Sequence, residues 1–213
     1  MSKNMWWATR PPVIILSAGH SCFDPGAKWE DITEHDLMAR LSLYTHAAMV
    51  PEKLANMPII LTVPPTHLAE KIKTVNRWSN VLEQNGFSHF AVELHVNAFE
   101  DNKRVRGVET FYYPGNMVGR KIAELMGGAI GTLGWPNRGI KTPKQSWRKA
   151  LAWIDQTRCT SVLVEMGFIT NKADRELLIS PSGSAGLAGR VATGLKLASA
   201  YVREQDEEIG EDK

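Results

Sequence analysis

The chain has 213 residues, 43% hydrophobic and 23% charged, with 17 Gly and 11 Pro, a profile that excludes collagen-like or wholly disordered structure and suits one globular domain. Its 25 basic and 23 acidic side chains leave a net charge of +2, too small to mark a nucleic-acid binder, so no nucleic-acid partner is expected. No apolar run approaches the roughly 20 residues of a membrane span, and the N-terminal residues hold no apolar signal-peptide core, so neither membrane insertion nor passage through the general export route is expected.

In chain order, residues 1–12 read as an N-terminal lead and Val13 to Ser17 as the first strand. The breaker Asp24-Pro25-Gly26 precedes a helix over Glu34 to Met49. Pro58 to Val63 reads as a strand, His67 to Asn85 as a helix, and Phe90 to His95 and Gly107 to Tyr113 as two further strands. A helix follows over Met117 to Leu133, then a strand over Ser161 to Glu165 and helices over Lys172 to Ile179 and Gly186 to Arg203. Short β-rich runs alternating with helix-patterned stretches predict a single α/β domain over 13–203 with a mostly parallel sheet. Residues 204–213 carry six acids and one base, which leaves 24 bases against 17 acids, or +7, on the chain before them. This acidic tail is expected to be disordered. Two cysteines, Cys22 and Cys159, are too few for a disulfide scaffold and fit a reducing compartment.

Ionisable residues recur just after the predicted strands, where ligands bind in open parallel sheets. His20 follows the first, Glu34 opens the first long helix, His95 ends the third and Glu165 ends the fifth. Two imidazoles and one carboxylate are the donor set of a hydrolytic zinc site, and a further carboxylate can take a proton from water and hand it to a leaving amine. Glu34, alternatively, is a favourable charge at a helix N-terminus, and Glu165 one half of an ion pair.

Several blocks occur together: Gly19-His20 with Asp24-Pro25-Gly26-Ala27; Glu34-His35-Asp36-Leu37; Arg77 and Asn80; His95-Val96-Asn97-Ala98; Gly107 to Tyr113; Asn137 to Lys141; and Val164 to Asn171. In this order the chain resembles the zinc-dependent N-acetylmuramoyl-L-alanine amidases of the amidase-3 class, found among bacterial division and sporulation enzymes and phage endolysins. The resemblance implies one Zn²⁺ held by His20, Glu34 and His95, Glu165 as the catalytic carboxylate, and a sheet of about six strands flanked by helices. It also implies a peptidoglycan substrate and cleavage of the amide between N-acetylmuramic acid and L-alanine. Asn97 and Arg138 are expected to touch substrate or to fix loops.

The chain departs from the family pattern at Ser17, where Asp is usual, at Ser21-Cys22, where glycines are usual, and at Glu93, where Ser is common. With period-two alternation Glu93 shares a face with His95 and is placed to fix its imidazole. Cys22 lies two residues from a presumed ligand and is open to metal binding or oxidation. Trp29, Trp135, Trp147 and Trp153 fall in or near predicted loops, where they either stack on glycan or pack in the core. The basic stretch Arg138, Lys141, Lys144, Arg148 and Lys149 suits a solvated face or an anionic wall polymer. The chain shows no separate wall-binding module, a build resembling compact phage endolysins, which implies a cytoplasmic location until the membrane is permeabilised and the periplasm or cell wall afterwards; a monomer is expected. A bacterial autolysin or division amidase is the alternative setting, and a non-catalytic wall-binding protein the alternative class.

Overall fold

The computed structural model describes residues 10–49, 58–132 and 134–211. The lead residues 1–9 and the end of the tail lie outside this range. Strand β1 (Val13–Ala18) opens the domain, followed by the two-residue strands β2 (Lys28–Trp29) and β3 (Ile32–Thr33), which pair antiparallel and deliver the chain to helix α1 (Glu34–Met49). Next come β4 (Ile60–Thr62), α2 (Leu68–Gln84), β5 (His89–Asn97), β6 (Val108–Tyr112), α3 (Met117–Ile130) and β7 (Asn137–Lys141). A 3-10 turn at Pro143–Gln145, α4 (Ala152–Gln156), β8 (Ser161–Phe168), α5 (Lys172–Ile179) and α6 (Pro181–Glu211) complete the domain.

The main sheet has six strands in the order β4-β1-β5-β8-β6-β7. All its pairings are parallel except β6 with β8. Its central strands are apolar on both faces because both are covered, and their residues still sort by period two. Ile14, Leu16, Phe90, Val92, Leu94, Val162 and Val164 pack with Leu37 and Leu41 of α1, Ile122 and Met126 of α3, and Val191 and Leu195 of α6. Ile15, Ala91, Leu163 and Phe111 face the other way, onto Ile72 and Val75 of α2 and Trp153 and Ile154 of α4. From β1 the chain crosses outward to β4, whereas from β5 it runs to β6 on the opposite side. The two connections diverge, which leaves a crevice at the carboxyl ends of β1 and β5, the switch point at which open α/β sheets bind ligands.

All five expected strands form. The sixth, β7, was not expected, because Asn137-Arg138-Gly139 has no apolar pattern; it pairs only with β6 and is largely exposed. The final helix departs from expectation at both ends. Its start, anticipated near Gly186, lies at Pro181, since proline is accommodated in a first turn and the Ser180 hydroxyl caps the amide of Gly183 at 3.2 Å. Its end, anticipated at Arg203 with a disordered tail beyond, lies at Glu211. Extending an established helix avoids the nucleation cost, and Arg203 pairs with Glu207 one turn on at 3.7 Å.

Candidate metal centre

His20 follows β1 and Gly19 with φ of 61°, the left-handed region that few non-glycine residues adopt. Glu34 is the first residue of α1 and only 3% exposed. Its carboxylate accepts the amides of Ala27 and Val96, each at 2.9 Å, so both oxygens are fixed by backbone. Oε2 lies 3.2 Å from His20 Nε2 and Oε1 2.8 Å from His95 Nδ1. The two imidazoles meet edge to face with centroids 5.1 Å apart. One donor atom from each of His20, Glu34 and His95 falls within 4.8 Å of the others. Cys22 is exposed and is not part of this group.

Two glycines make room for the cluster. A Cβ on Gly19 would stand 2.7 Å from the His95 ring, and one on Gly26 only 2.5 Å from Glu34 Oε2. Gly26 also has φ of +72°, so both shape and conformation require glycine there.

The outward nitrogens of both imidazoles are held as well. His20 Nδ1 lies 3.1 Å from Asp24 Oδ2, and His95 Nε2 lies 3.0 Å from Glu93 Oε2. Carboxylate partners of this kind fix ring orientation and leave the inward nitrogens, His20 Nε2 and His95 Nδ1, to face the cluster. Glu93 is itself held by the Ser17 hydroxyl at 3.1 Å and by Lys71 Nζ at 3.5 Å.

The field of this corner calls for positive charge. Burial works against a charged imidazole at His20, yet Glu34 and Asp24 outweigh it and raise the pKa. At His95 burial is again overcome, by Glu93 and Glu34, which hold the pKa well above its ordinary value. Burial would favour a protonated Glu34, but the two imidazoles drive it far below the carboxylate range. Protons on two histidines around one buried carboxylate are what a divalent cation would replace. The imidazole and carboxylate donors match the preference of Zn²⁺, so these residues fit that ion.

Glu165 of β8 is the register partner of His95 on one side and of Glu109 on the other. Its Oε2 is buried with no hydrogen-bond partner. Burial pushes its pKa up to about 8, with Glu34 and Glu109 adding to the effect and the imidazoles opposing it. A neutral carboxylic acid poised near neutrality beside a charged cluster is suited to exchange a proton.

Asn97 and Arg138 converge on Glu109, at 3.1 Å from the Asn97 amide to Oε1 and 2.9 Å from Arg138 Nε to Oε2. Lys141 also donates to Oε2. Both cations of the basic stretch that point this way are therefore engaged, while Arg148 stacks on the exposed Trp147 ring at 4.4 Å. Trp135 and Trp153 are core residues, and Trp29 lies under Arg175 and Lys103. The structure thus brings together His20, Glu34, His95 and Glu93, with Glu165 on the adjoining strand and Asn97 and Arg138 beyond it.

Sequence reasoning missed three contributors. Asp24 stood within a recognised block without a role. Glu109 carried the same sign as Glu165, a lone acid in an apolar run, and was passed over. Lys71 gave itself away only by periodicity, because it falls on the buried stripe of α2 with Ile72, Val75 and Ser79.

Residues 14–197 match the family model described as N-acetylmuramoyl-L-alanine amidase. No curated protein matches the chain in sequence. Similar solved structures include the amidase Ami1 from Mycobacterium smegmatis, at 17% identity over 91% of this chain and 99% of that one, TM-score 0.73. The CwlD amidase from Clostridioides difficile, solved in complex with the GerS lipoprotein, is 20% identical over 89% of this chain and 99% of that one, TM-score 0.68. The catalytic domain of CD27L, an endolysin targeting Clostridia difficile, is 23% identical over 87% of this chain and 97% of that one, TM-score 0.63. At such identities these likenesses establish the fold.

Proposed function

Because the chain belongs to the N-acetylmuramoyl-L-alanine amidase family, we propose that it is a zinc-dependent peptidoglycan hydrolase cutting the amide between the lactyl group of N-acetylmuramic acid and L-alanine. The observation that carries this reading is the convergence of His20, Glu34 and His95 at the switch point, with Glu165 on the neighbouring strand. His20 Nε2, a Glu34 oxygen and His95 Nδ1 would hold the ion. When bound there, Zn²⁺ supplies Lewis acidity, polarising the scissile carbonyl and lowering the pKa of water.

Glu165 does the proton transfer. As the carboxylate it accepts a proton from the attacking water; as the acid it returns that proton to the alanine nitrogen, without which an amide nitrogen is a very poor leaving group. Its unpartnered Oε2 leaves one oxygen uncommitted for this work. Asn97 and Arg138, gathered around Glu109 on the next strand, are assigned to substrate binding. The +7 charge of the chain before residue 204 suits an anionic wall.

The setting proposed is host lysis by a phage-type enzyme that acts as a monomer, waiting in the cytoplasm until the membrane is permeabilised; the likeness to an endolysin catalytic domain supports it. The bacterial amidases among the similar structures favour an autolysin as the second reading. Incubation with purified sacculi, with and without a chelator, tests the chemistry. New L-alanine amino groups that vanish on chelation are expected. Other new termini, or binding with no release of fragments, would overturn the reading.

A further inference from the structure

Lys71 and Glu93 are each 1% exposed, an ion pair sunk between α2 and the sheet. Such a pair is costly to build. Removing two charges from water is repaid only when geometry and added hydrogen bonds are favourable, and well-packed apolar side chains in the same space are often as stable or more so. Packing alone therefore does not account for it.

Its contacts all lead to the metal corner. Glu93 spends Oε2 on His95 Nε2 at 3.0 Å and Oε1 on the Ser17 hydroxyl and Lys71. Lys71 reaches 3.5 Å to Glu93 and donates a hydrogen bond to the carbonyl of Ala18. Ala18 is the last residue of β1, two before His20, and Gly19 donates its amide to the Leu94 carbonyl at 2.6 Å. One ammonium group thus ties the segment carrying His20 to the carboxylate that orients His95.

We infer that the Lys71–Glu93 pair is a positioning device for the metal centre, in which Glu93 locks the His95 ring with Nδ1 turned toward Glu34 and His20, and Lys71 holds Glu93 and the end of β1 in register. This rests on the proposed metal site. Both residues are buried, and neither belongs to the His20, Glu34 and His95 donor group.

The test compares zinc affinity, measured by competition with a chromophoric chelator, across wild type and two double variants. Lys71→Met with Glu93→Leu removes the pair without stranding a buried charge. Lys71→Met with Glu93→Gln restores an acceptor for His95 Nε2. The leucine variant should bind zinc about 10- to 100-fold more weakly, the usual size of such effects, while the glutamine variant, which keeps an acceptor for His95 but lacks Lys71, recovers only part of that loss. Recovery to the wild-type affinity would remove Lys71 from the device and overturn the inference. The d–d absorption of Co²⁺ bound to the leucine variant should be altered, and thermal melting of chelator-treated protein should show all three folded. Should the leucine variant bind zinc like wild type, the inference is overturned. Equal weakening in the glutamine variant would also overturn it, since an acceptor at position 93 would then not matter. Wild type that binds no zinc would instead sink the metal site itself, a different failure.

Discussion

Two neighbouring regions along the central strands are built on opposite rules. Around His20, Glu34 and His95 every donor and acceptor is held: Glu34 takes two amides and two imidazoles, and each imidazole has a second carboxylate behind it. One strand further along, Glu165 keeps a buried oxygen with no partner, although Glu109 beside it collects Asn97, Arg138 and Lys141. On the proposed assignment, the contrast separates two tasks. A ligand set must keep its geometry when the ion arrives, so its rotamers are fixed in advance; a proton carrier must change state during turnover, so it cannot be locked in one of them.

The sharpest way to break this division is Glu165→Gln. If Glu165 only carries protons, the variant should bind zinc within a few-fold of wild type and lose on the order of 10³-fold in kcat on soluble muropeptides. A variant that is fully active, or one that loses its zinc, would show that the two regions do not divide the labour in this way.

A smaller effect is expected from crowding the ligand side. Gly26→Ala places a methyl group 2.5 Å from Glu34 Oε2 and 2.6 Å from His20, so the ligands must shift. Zinc affinity should fall about tenfold, at the low end of what disturbing ligand orientation costs. Gly115→Ala is the control, because its φ of +85° imposes comparable backbone strain while nothing lies within 4 Å of the added carbon. It should lower stability by roughly 1–2 kcal/mol and leave zinc binding unchanged. Equal losses of zinc affinity in both variants would mean that strain alone, and not contact with the ligands, sets the effect.

The two regions were also unequally legible. Strands β1, β5 and β8 announce themselves as apolar runs, and an acid interrupting one, as at Glu165, is conspicuous because burial would be expensive without a purpose. Glu93 could be placed by alternation alone, two residues from His95 on one strand. What alternation does not carry is the partner across space: Lys71 belongs to another element, and a lysine in a helix reads as solvent-facing until its stripe is traced. The convergence of His20 with His95 was likewise hidden, since it depends on β1 and β5 being neighbours while β4, which lies between them in sequence, pairs on the outer side of β1. The tail differs from what its composition suggests for a related reason. Residues after Arg203 look too acidic to order themselves, but α6 arrives there already formed.

The burial of Glu165, with one oxygen unpartnered, has a consequence for stability. In the chelator-treated protein its pKa stands at about 8, against an ordinary value of 4.5. The folded chain thus keeps a proton that the unfolded chain gives up, and between these two values the folded state binds more protons. Its contribution is fully present below about pH 4.5 and falls as pH rises toward 8, by at most about 1.4 kcal/mol per pH unit. Glutamine never ionises, so Glu165→Gln should melt within about 2 °C of wild type at pH 4.5 and several degrees above it at pH 9. Titrations remote from Glu165 are common to both chains and cancel in the difference, whereas those of His95, Glu34, Glu109 and His20 respond to its charge. A melting difference that stays flat across this range would mean that the Glu165 carboxyl is solvated as in the unfolded chain, and the contrast between a fixed ligand set and a poised acid would lose its physical basis.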